Sequence, residues 1–338
     1  MVFYSLQNTM QTSPQITLLQ AITQALAFEM RRDKTVVILG EDVGANGGVF
    51  RATQGLFEQF GPERVLDTPL AESMIAGISI GMAAQGLKPV AEFQFMGFIY
   101  SALDQIISHA SRLRHRTRGR ITCPLVYRTP YGAGIHAPEH HSESTEALFA
   151  HIPGLRVLIP SSPARAYGLL LAAIRDPDPV IFLEPTRLYR KLKEEVPDNG
   201  LALPLDQCFI LREGQDVTLI SWGAMLLETQ IASDQLAEQG ISAEIIDLAS
   251  IKPLDMSTIL TSIAKTGRCV IVHEAARTCG VGAEIAAQIA EFTLSFLLAP
   301  VQRVTGYDTV IPYFKLEKEY LPSPERIIAA VVKVMEYT

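Results

Sequence analysis

Residues 67–84 read DTPLAESMIAGISIGMAA, and Glu72 is followed by twelve residues without a charge. A helix without a charged face is expected to be buried on every side. Gly77 and Gly81 share one helical face, and glycine costs about 1 kcal/mol relative to alanine inside a helix, so we expect another element to approach closely there. Glu72 should therefore lie at the mouth of a buried helix, where a nitrogen heterocycle could share its proton.

The overall composition argues against several classes of protein. With 338 residues and 48% hydrophobic content, the chain can bury a large core, and this length is typical of about two domains. A net charge of -7 disfavours a nucleic-acid binder. The four cysteines are far apart and form no C-x-x-C pair, which argues against a zinc knuckle and a disulfide scaffold. Without a readable targeting signal or membrane span, we expect a cytoplasmic protein with no membrane partner.

The first half of the chain alternates strand and helix patterns. Ser13 and Pro14 predict the start of a helix that ends at Arg32. Strands are predicted at residues 36–39, 89–95, 125–128, 157–159 and 180–183, and further helices at 72–85, 101–114 and 163–174. This alternation predicts an α/β fold with a parallel sheet covered by helices on both faces, and with ligands beyond the carboxyl ends of the strands.

A charged segment with two prolines, residues 191–206, predicts a linker between two domains. It divides the chain into a domain at 15–190 and a second, smaller α/β domain at 207–338. In the second domain, strands are predicted at residues 217–221, 243–247, 269–273 and 302–304, and helices at 226–239 and 283–292.

Two glycine-containing loops follow predicted strands. Residues 40–48 match no phosphate-binding motif and contain two acids, which favours a tight turn near a site. Residues 129–144 carry His136, His140 and His141. As zinc ligands they lack the H-E-x-x-H spacing, whereas histidines on such a loop suit proton transfer near neutral pH. A solvated role is a fair alternative for His140.

Two charged segments leave more than one interpretation open. Residues 112–120 contain five arginines, which could bind phosphate or an acidic partner, although cations that complement a helix C-terminus explain them more simply. Asp176 and Asp178 could hold a hard cation or belong to an exposed turn.

Several separate motifs occur in the order found in one known family. They are residues 40–44, 47–51, 67–72, 94–98, 134–142 and 182–185. Together they resemble the beta subunit of the thiamine-diphosphate-dependent decarboxylating component of 2-oxoacid dehydrogenase complexes, and are most similar to its bacterial pyruvate dehydrogenase branch. The resemblance implies a transketolase-like pyrimidine-binding domain followed by a transketolase C-terminal domain.

The same resemblance implies roles for individual residues. Glu72 is expected to hydrogen-bond a ring nitrogen of the cofactor's aminopyrimidine, and Phe98 to stack on that ring. His141 is expected to handle protons during decarboxylation and acyl transfer, with His136 as a neighbour. A structural potassium site is implied at Leu125, Ala173, Ile174, Asp176 and Asp178. At Asp178 this chain departs from the family, which usually has asparagine there.

A missing motif predicts a partner chain. The Gly-Asp-Gly signature that binds diphosphate and magnesium in this family is absent from the sequence. The resemblance therefore implies an alpha subunit that supplies this half of the thiamine diphosphate site, in a heterotetramer of two alpha and two beta chains. The expected reaction is oxidative decarboxylation of pyruvate, with transfer of the acetyl group to a lipoyl group on a dihydrolipoyl acyltransferase core. The alternatives are a branched-chain 2-oxoacid (3-methyl-2-oxobutanoate) dehydrogenase beta subunit, a zinc hydrolase and a non-catalytic scaffold.

Overall fold

The computed structural model describes residues 14–337. The strands are β1 (Gln15–Thr17), β2 (Val36–Gly40), β3 (Val65–Asp67), β4 (Lys88–Glu92), β5 (Val126–Tyr131), β6 (Arg156–Leu158), β7 (Val180–Pro185), β8 (Lys193–Glu195), β9 (Phe209–Arg212), β10 (Val217–Ser221), β11 (Ala243–Asp247), β12 (Ser250–Lys252), β13 (Cys269–His273) and β14 (Gln302–Thr305). The α-helices are α1 (Leu18–Arg32), α2 (Leu56–Phe60), α3 (Glu72–Ala84), α4 (Leu113–Arg116), α5 (Glu146–Ala150), α6 (Pro163–Arg175), α7 (Met225–Glu238), α8 (Met256–Thr266), α9 (Val281–Thr293), α10 (Phe314–Tyr320) and α11 (Pro324–Met335).

Two mostly parallel sheets organise the described chain. The seven-stranded sheet has the order β12-β6-β7-β5-β4-β2-β3, and the five-stranded sheet has the order β14-β13-β10-β11-β9. Only β12 and β9 run antiparallel to their neighbours within these sheets. Continuous apolar strands are buried in both, as expected for sheets covered on two faces. Among residues 14–337, no helix is both long and apolar enough to span a bilayer.

The first helix begins later than Ser13 and Pro14 predict. Residues Gln15–Thr17 form β1, and the helix starts at Leu18. The Thr17 hydroxyl accepts a hydrogen bond from the Gln20 backbone N–H at 3.3 Å, and the Gln20 side chain accepts one from the Thr17 N–H at 2.9 Å. This reciprocal capping box satisfies two free N–H groups and sets the helix start. Ser13 lies outside the described residues.

The two halves of the chain are joined by more than a linker. The predicted linker at 191–206 contains β8, which pairs antiparallel with β1. In addition, β12 comes from the second half and extends the sheet of the first half beside β6. Asp247 at the end of β11 forms an ion pair with Arg165 of α6 at 2.9 Å. The halves therefore share a sheet and a buried ion pair.

The predicted helix at 101–114 is not one α-helix. A 3₁₀ helix at Met96–Ala102 is followed by a π turn at Gln105–His109, a second 3₁₀ turn and the short α4. Apolar spacing of three to four residues predicts a helical segment without distinguishing these turn types, so the prediction of a regular helix was wrong. Such π turns are frequent at functional sites.

Helix α3 is buried on one side only. Its buried residues are Ile75, Ala76, Ser79 and Ala83. Ile78, in contrast, is 44% exposed. A Cβ atom at Gly77 would lie 3.3 Å from the Gln105 side chain, but none of the described atoms lies within 4 Å of such a position at Gly81. The predicted burial on every side is therefore wrong for this chain alone, because the uncharged face around Ile78 and Gly81 is left open.

A buried ion cluster links three adjacent strands of the seven-stranded sheet. Arg128 of β5 contacts Glu92 of β4 and donates two hydrogen bonds to Glu184 of β7, at 2.7 and 3.0 Å. The Tyr189 hydroxyl donates to Glu184 at 2.6 Å. Burial alone would lower the pKa of Arg128, but the two carboxylates outweigh it and raise that pKa. The guanidinium therefore stays charged and ties the three strands together.

We expect the substitution Arg128→Met to lower the free energy of unfolding by about 3–5 kcal/mol, because it leaves two buried carboxylates without their cation. Arg31→Met is the matched control, since the Arg31–Asp198 pair is 45% and 43% exposed. Exposed pairs contribute about 0–1 kcal/mol. Urea unfolding of the purified chains measures both losses, and equal losses would contradict this account of the cluster.

Candidate active site

Three segments meet at the carboxyl edge of the seven-stranded sheet. Glu72 begins α3, which follows β3, and Phe98 lies in the 3₁₀ helix after β4. His141 lies in the segment after β5, at residues 132–142, which we call the histidine loop. Because the carboxyl ends of parallel strands point to the same edge, these segments converge there.

The predicted site residues form one contiguous cluster. Ser101 Oγ lies 3.3 Å from Glu72 Oε2 and 3.0 Å from the Phe98 carbonyl oxygen. The Phe98 ring is 5.3 Å from the His141 ring between centroids, at 70°. Glu72 is half-buried. The expected position of Glu72 at the mouth of a buried helix is therefore wrong for this chain alone, because α3 has an open face and leaves Glu72 partly exposed.

Phe95 is a member of the cluster that the sequence analysis did not single out. Its ring lies 4.2 Å from the His141 ring and 5.6 Å from the Phe98 ring. A Cβ atom at Gly97 would lie only 2.4 Å from the His140 carbonyl oxygen. The segment 94–98 and the histidine loop therefore pack directly on each other. The sequence signal for this contact was a glycine, Gly97, that lies between two phenylalanines, Phe95 and Phe98.

The environment of His141 favours a neutral imidazole. Its Nδ1 is buried and has no hydrogen-bond partner within residues 14–337. Burial lowers the pKa of His141, and neighbouring His140 lowers it further, while Pro138 and Glu139 act in the opposite direction. A histidine with a pKa below its usual 6.5 is mostly neutral at pH 7 and can accept a proton.

The other two histidines do not complete a metal site. His136 is exposed, and its Nδ1 lies 3.6 Å from Glu317. The His140 ring lies 4.2 Å from the His141 ring. Over the described part of the chain, no group of three His, Cys, Asp or Glu residues could hold a metal ion. The zinc hydrolase interpretation therefore has no ligand set in this region.

The loop at residues 40–48 holds a carboxylate of the chain itself. The Gly44 N–H donates to Asp67 Oδ1 at 2.6 Å. This contact agrees with a structural turn in place of a phosphate-binding loop. Burial raises the pKa of Glu41 in the same loop, and the charges of Asp42 and Glu72 raise it further. Glu41 is thus a second acid near Glu72, which the sequence alone did not indicate.

The predicted potassium ligands lie around the start of β7. Asp178 forms an ion pair with Arg114 at 2.7 Å, and Asp176 forms one with Arg156 at 2.9 Å. The Asp178 N–H also donates to Asp176 Oδ1 at 2.8 Å. Both carboxylates therefore already have a cationic partner, and one of these partners belongs to the arginine-rich segment. Potassium binding here stays a prediction, and no step of the function below depends on it.

Comparison with known proteins identifies the family. Residues 14–191 match the transketolase pyrimidine-binding domain, and residues 206–327 match the transketolase C-terminal domain. The pyruvate dehydrogenase E1 component subunit beta of Bacillus subtilis (strain 168) is 46% identical over 96% of this chain and 99% of that protein. This chain belongs to the pyruvate dehydrogenase E1 beta-subunit family. The family member from Acholeplasma laidlawii is 47% identical over 94% of this chain and 98% of that protein.

A solved structure agrees with this assignment at the level of the fold. An inactive beta4 tetramer of a split-gene transketolase has a TM-score of 0.80 and covers 96% of this E1 beta-family chain and 99% of its own. Its sequence identity is 22%, so the likeness concerns the fold alone. The predicted family resemblance and the transketolase-like α/β fold are both confirmed.

We expect the substitution His140→Asn to raise the pKa of His141, because the charge of His140 is one of the two causes that lower it. His151→Asn, at an exposed residue outside the histidine loop, is the control and should leave that pKa unchanged. Titration of the histidine ring signals by NMR measures both. A pKa of His141 at or above the ordinary value in the wild-type chain would contradict the described environment.

Proposed function

We propose that this chain is the catalytic beta subunit of a pyruvate dehydrogenase. It would carry out oxidative decarboxylation of pyruvate with thiamine diphosphate, and reductive acetylation of a lipoyl group. The observation that carries the proposal is the cluster of Glu72, Phe98 and His141 at one edge of the sheet. It occurs in a chain 46% identical over nearly its whole length to a pyruvate dehydrogenase E1 beta subunit.

The proposal includes a second chain. The open face of α3 around Ile78 is apolar and adjoins the cluster, and exposed apolar patches commonly mark subunit interfaces. The sequence also lacks the family's diphosphate and magnesium signature. We therefore assign those two groups to an alpha subunit, in a heterotetramer of two alpha and two beta chains. The site would be completed where the two kinds of chain meet.

The residues present are suited to one end of an aromatic heterocycle. Phe98 is half-buried and can offer a ring face for stacking. Among residues 14–337 the Glu72 carboxylate has only the long contact to Ser101, so it can accept a hydrogen bond from a ligand. The buried Nδ1 of His141 has no partner among the described residues. A free ring face, a free carboxylate oxygen and an unpaired ring nitrogen fit a nitrogen-containing ring that enters between α3 and the histidine loop.

When bound, thiamine diphosphate supplies a carbon nucleophile and an electron sink for decarboxylation. Glu72 would hold a proton shared with a ring nitrogen, and it does so best once a partner chain covers it, because burial favours proton sharing by a carboxyl group. Phe98 would orient the ring by stacking. His141, neutral at pH 7, would take up and return a proton beside the reacting carbon. The apolar surroundings of this cluster would exclude water from the reaction.

The acyl acceptor is the last part of the proposal. We assign it to a lipoyl group carried by a dihydrolipoyl acyltransferase core, in a cytoplasmic complex, on the basis of the family to which this chain belongs. Breaking the lipoyl disulfide bond releases a thiolate, and His141, once it has taken up a proton, could donate that proton to the sulfur. The chain described here would thus contribute to both half-reactions through the same imidazole.

We expect the purified chain to be inactive alone and active after co-purification with its alpha chain. The assay measures decarboxylation with thiamine diphosphate and magnesium, for pyruvate and for 3-methyl-2-oxobutanoate. Pyruvate should have the higher kcat/KM, and because each methylene is worth about 1–3 kcal/mol in a hydrophobic pocket, the difference should be large enough to measure. A higher value for 3-methyl-2-oxobutanoate would identify a branched-chain enzyme instead.

We expect the substitution Glu72→Gln to reduce kcat by about 10²–10⁴-fold in the assembled enzyme, because an amide cannot share the proton of a ring nitrogen. Glu63→Gln, which makes the same charge change at an exposed residue, is the control. Size-exclusion chromatography should give the same assembly for both variants. Full activity of Glu72→Gln would favour a non-catalytic scaffold.

A further inference from the structure

The first residues of the histidine loop, 132–134, are held by the C-terminal half of the chain. We call these residues the loop root. The Ala133 N–H donates to Glu274 Oε2 at 3.1 Å, and the Gly134 N–H donates to Glu317 Oε2 at 3.3 Å. Both glutamates belong to the C-terminal half and are only 4% and 6% exposed. Hydrogen bonds from backbone N–H groups to buried carboxylates are stronger than bonds between neutral groups. The root therefore depends on two acceptors that lie far away in sequence.

The fit between the loop root and these groups is close. Gly132 has φ +79°, and a Cβ atom there would lie 2.4 Å from Glu274 Oε1. Gly134 has φ +110°, and a Cβ atom there would lie 2.1 Å from Arg187 Cγ. Both backbone conformations are left-handed, and both positions lack room for a side chain. The root thus follows the surface formed by Glu274 and Arg187.

A single cation offsets the buried acids. Arg187, in the 3₁₀ turn after β7, forms an ion pair with Glu228 of α7. Burial alone would lower the pKa of Arg187, but Glu228, Glu274 and Glu317 outweigh it and raise that pKa. Of these three acids Glu228 forms the ion pair, while burial raises the pKa of Glu274 to about 7 although the charge of Arg187 lowers it. Without that cation, burying the acids would be costly.

A backbone hydrogen bond joins the two ends of the loop. The Gly132 N–H donates to the Glu143 carbonyl oxygen at 3.0 Å. The segment between them carries all three histidines, and Glu317 also lies 3.6 Å from the Nδ1 of His136. A shift of the root would therefore move His141 relative to Phe95 and Phe98. Displacements of about 1 Å at reacting groups can reduce a rate roughly 10²-fold.

We propose that Glu274 and Glu317 are positioning residues, which hold the histidine loop so that His141 faces the reacting atoms. This inference rests on the function proposed above for His141. Neither glutamate belongs to the residues assigned to the cofactor. Their contribution acts through the backbone of the loop.

The test uses the assembled enzyme with Glu274→Ala and Glu317→Ala. Hydrogen exchange at residues 133–134 should become about tenfold faster or more, since each lost acceptor frees an N–H group. The kcat for acetyl transfer should fall roughly 10- to 100-fold. The KM for thiamine diphosphate should stay within about twofold, because the diphosphate is held elsewhere.

Three controls separate positioning from a loss of folding. Glu274→Gln and Glu317→Gln retain an acceptor oxygen and should recover most of the exchange protection and of kcat. Glu319→Ala, at an exposed residue on the same helix α10 as Glu317, should behave as the wild type. The urea midpoint of each glutamine variant should equal that of the wild-type assembly.

Two results would overturn the inference: unchanged exchange in both alanine variants, or faster exchange with unchanged kcat. Exchange is measured without substrate or cofactor, so it does not depend on the reaction. An inactive wild-type assembly would count against the proposed function, while the exchange comparison would still decide whether the two carboxylates hold the loop.

Discussion

The ion cluster of Glu92, Arg128 and Glu184 is the constraint from which the site is built. It joins β4, β5 and β7, and each of these strands leads directly into a functional segment. Strand β4 leads to Phe98, β5 to the histidine loop, and β7 to Arg187. Buried ion pairs contribute little net stability but strongly penalise alternative arrangements of their partners. The cluster therefore fixes where three otherwise independent loops begin.

Beyond the ion cluster, close backbone contacts set the geometry of the loops. Gly97 allows the segment with Phe98 to touch the histidine loop, and Gly132 and Gly134 allow that loop to follow Glu274 and Arg187. Aromatic rings fill the remaining space, and Phe95 contacts both Phe98 and His141. Rigid support of this kind places catalytic groups on loops without leaving them mobile. The first half of the chain presents the site, and the second half holds part of it.

The open face of α3 is the second feature on which the proposed site depends. A helix without charges is expected to be covered, yet Ile78 is 44% exposed in this chain. The same helix begins with Glu72, whose proposed chemistry needs a dry environment. A chain that covered the open face of α3 would thus also exclude water from Glu72, and both effects would require another chain. In the proposed function, this coupling would allow one site to be divided between two polypeptides.

Apolar periodicity and motif order were sufficient to predict the parallel α/β units and the family, because these signals lie within short stretches of sequence. The roles of Glu72, Phe98 and His141 were implied by the family resemblance, and the structure brings these three residues together. Other features depended on tertiary structure: the 3₁₀ and π turns after Phe98, the transfer of β12 to the first sheet, and the place of Phe95. The bond from Ala133 to Glu274 joins residues 141 positions apart. Local patterns encode which element forms, whereas contacts at such separations are decided only when the elements pack.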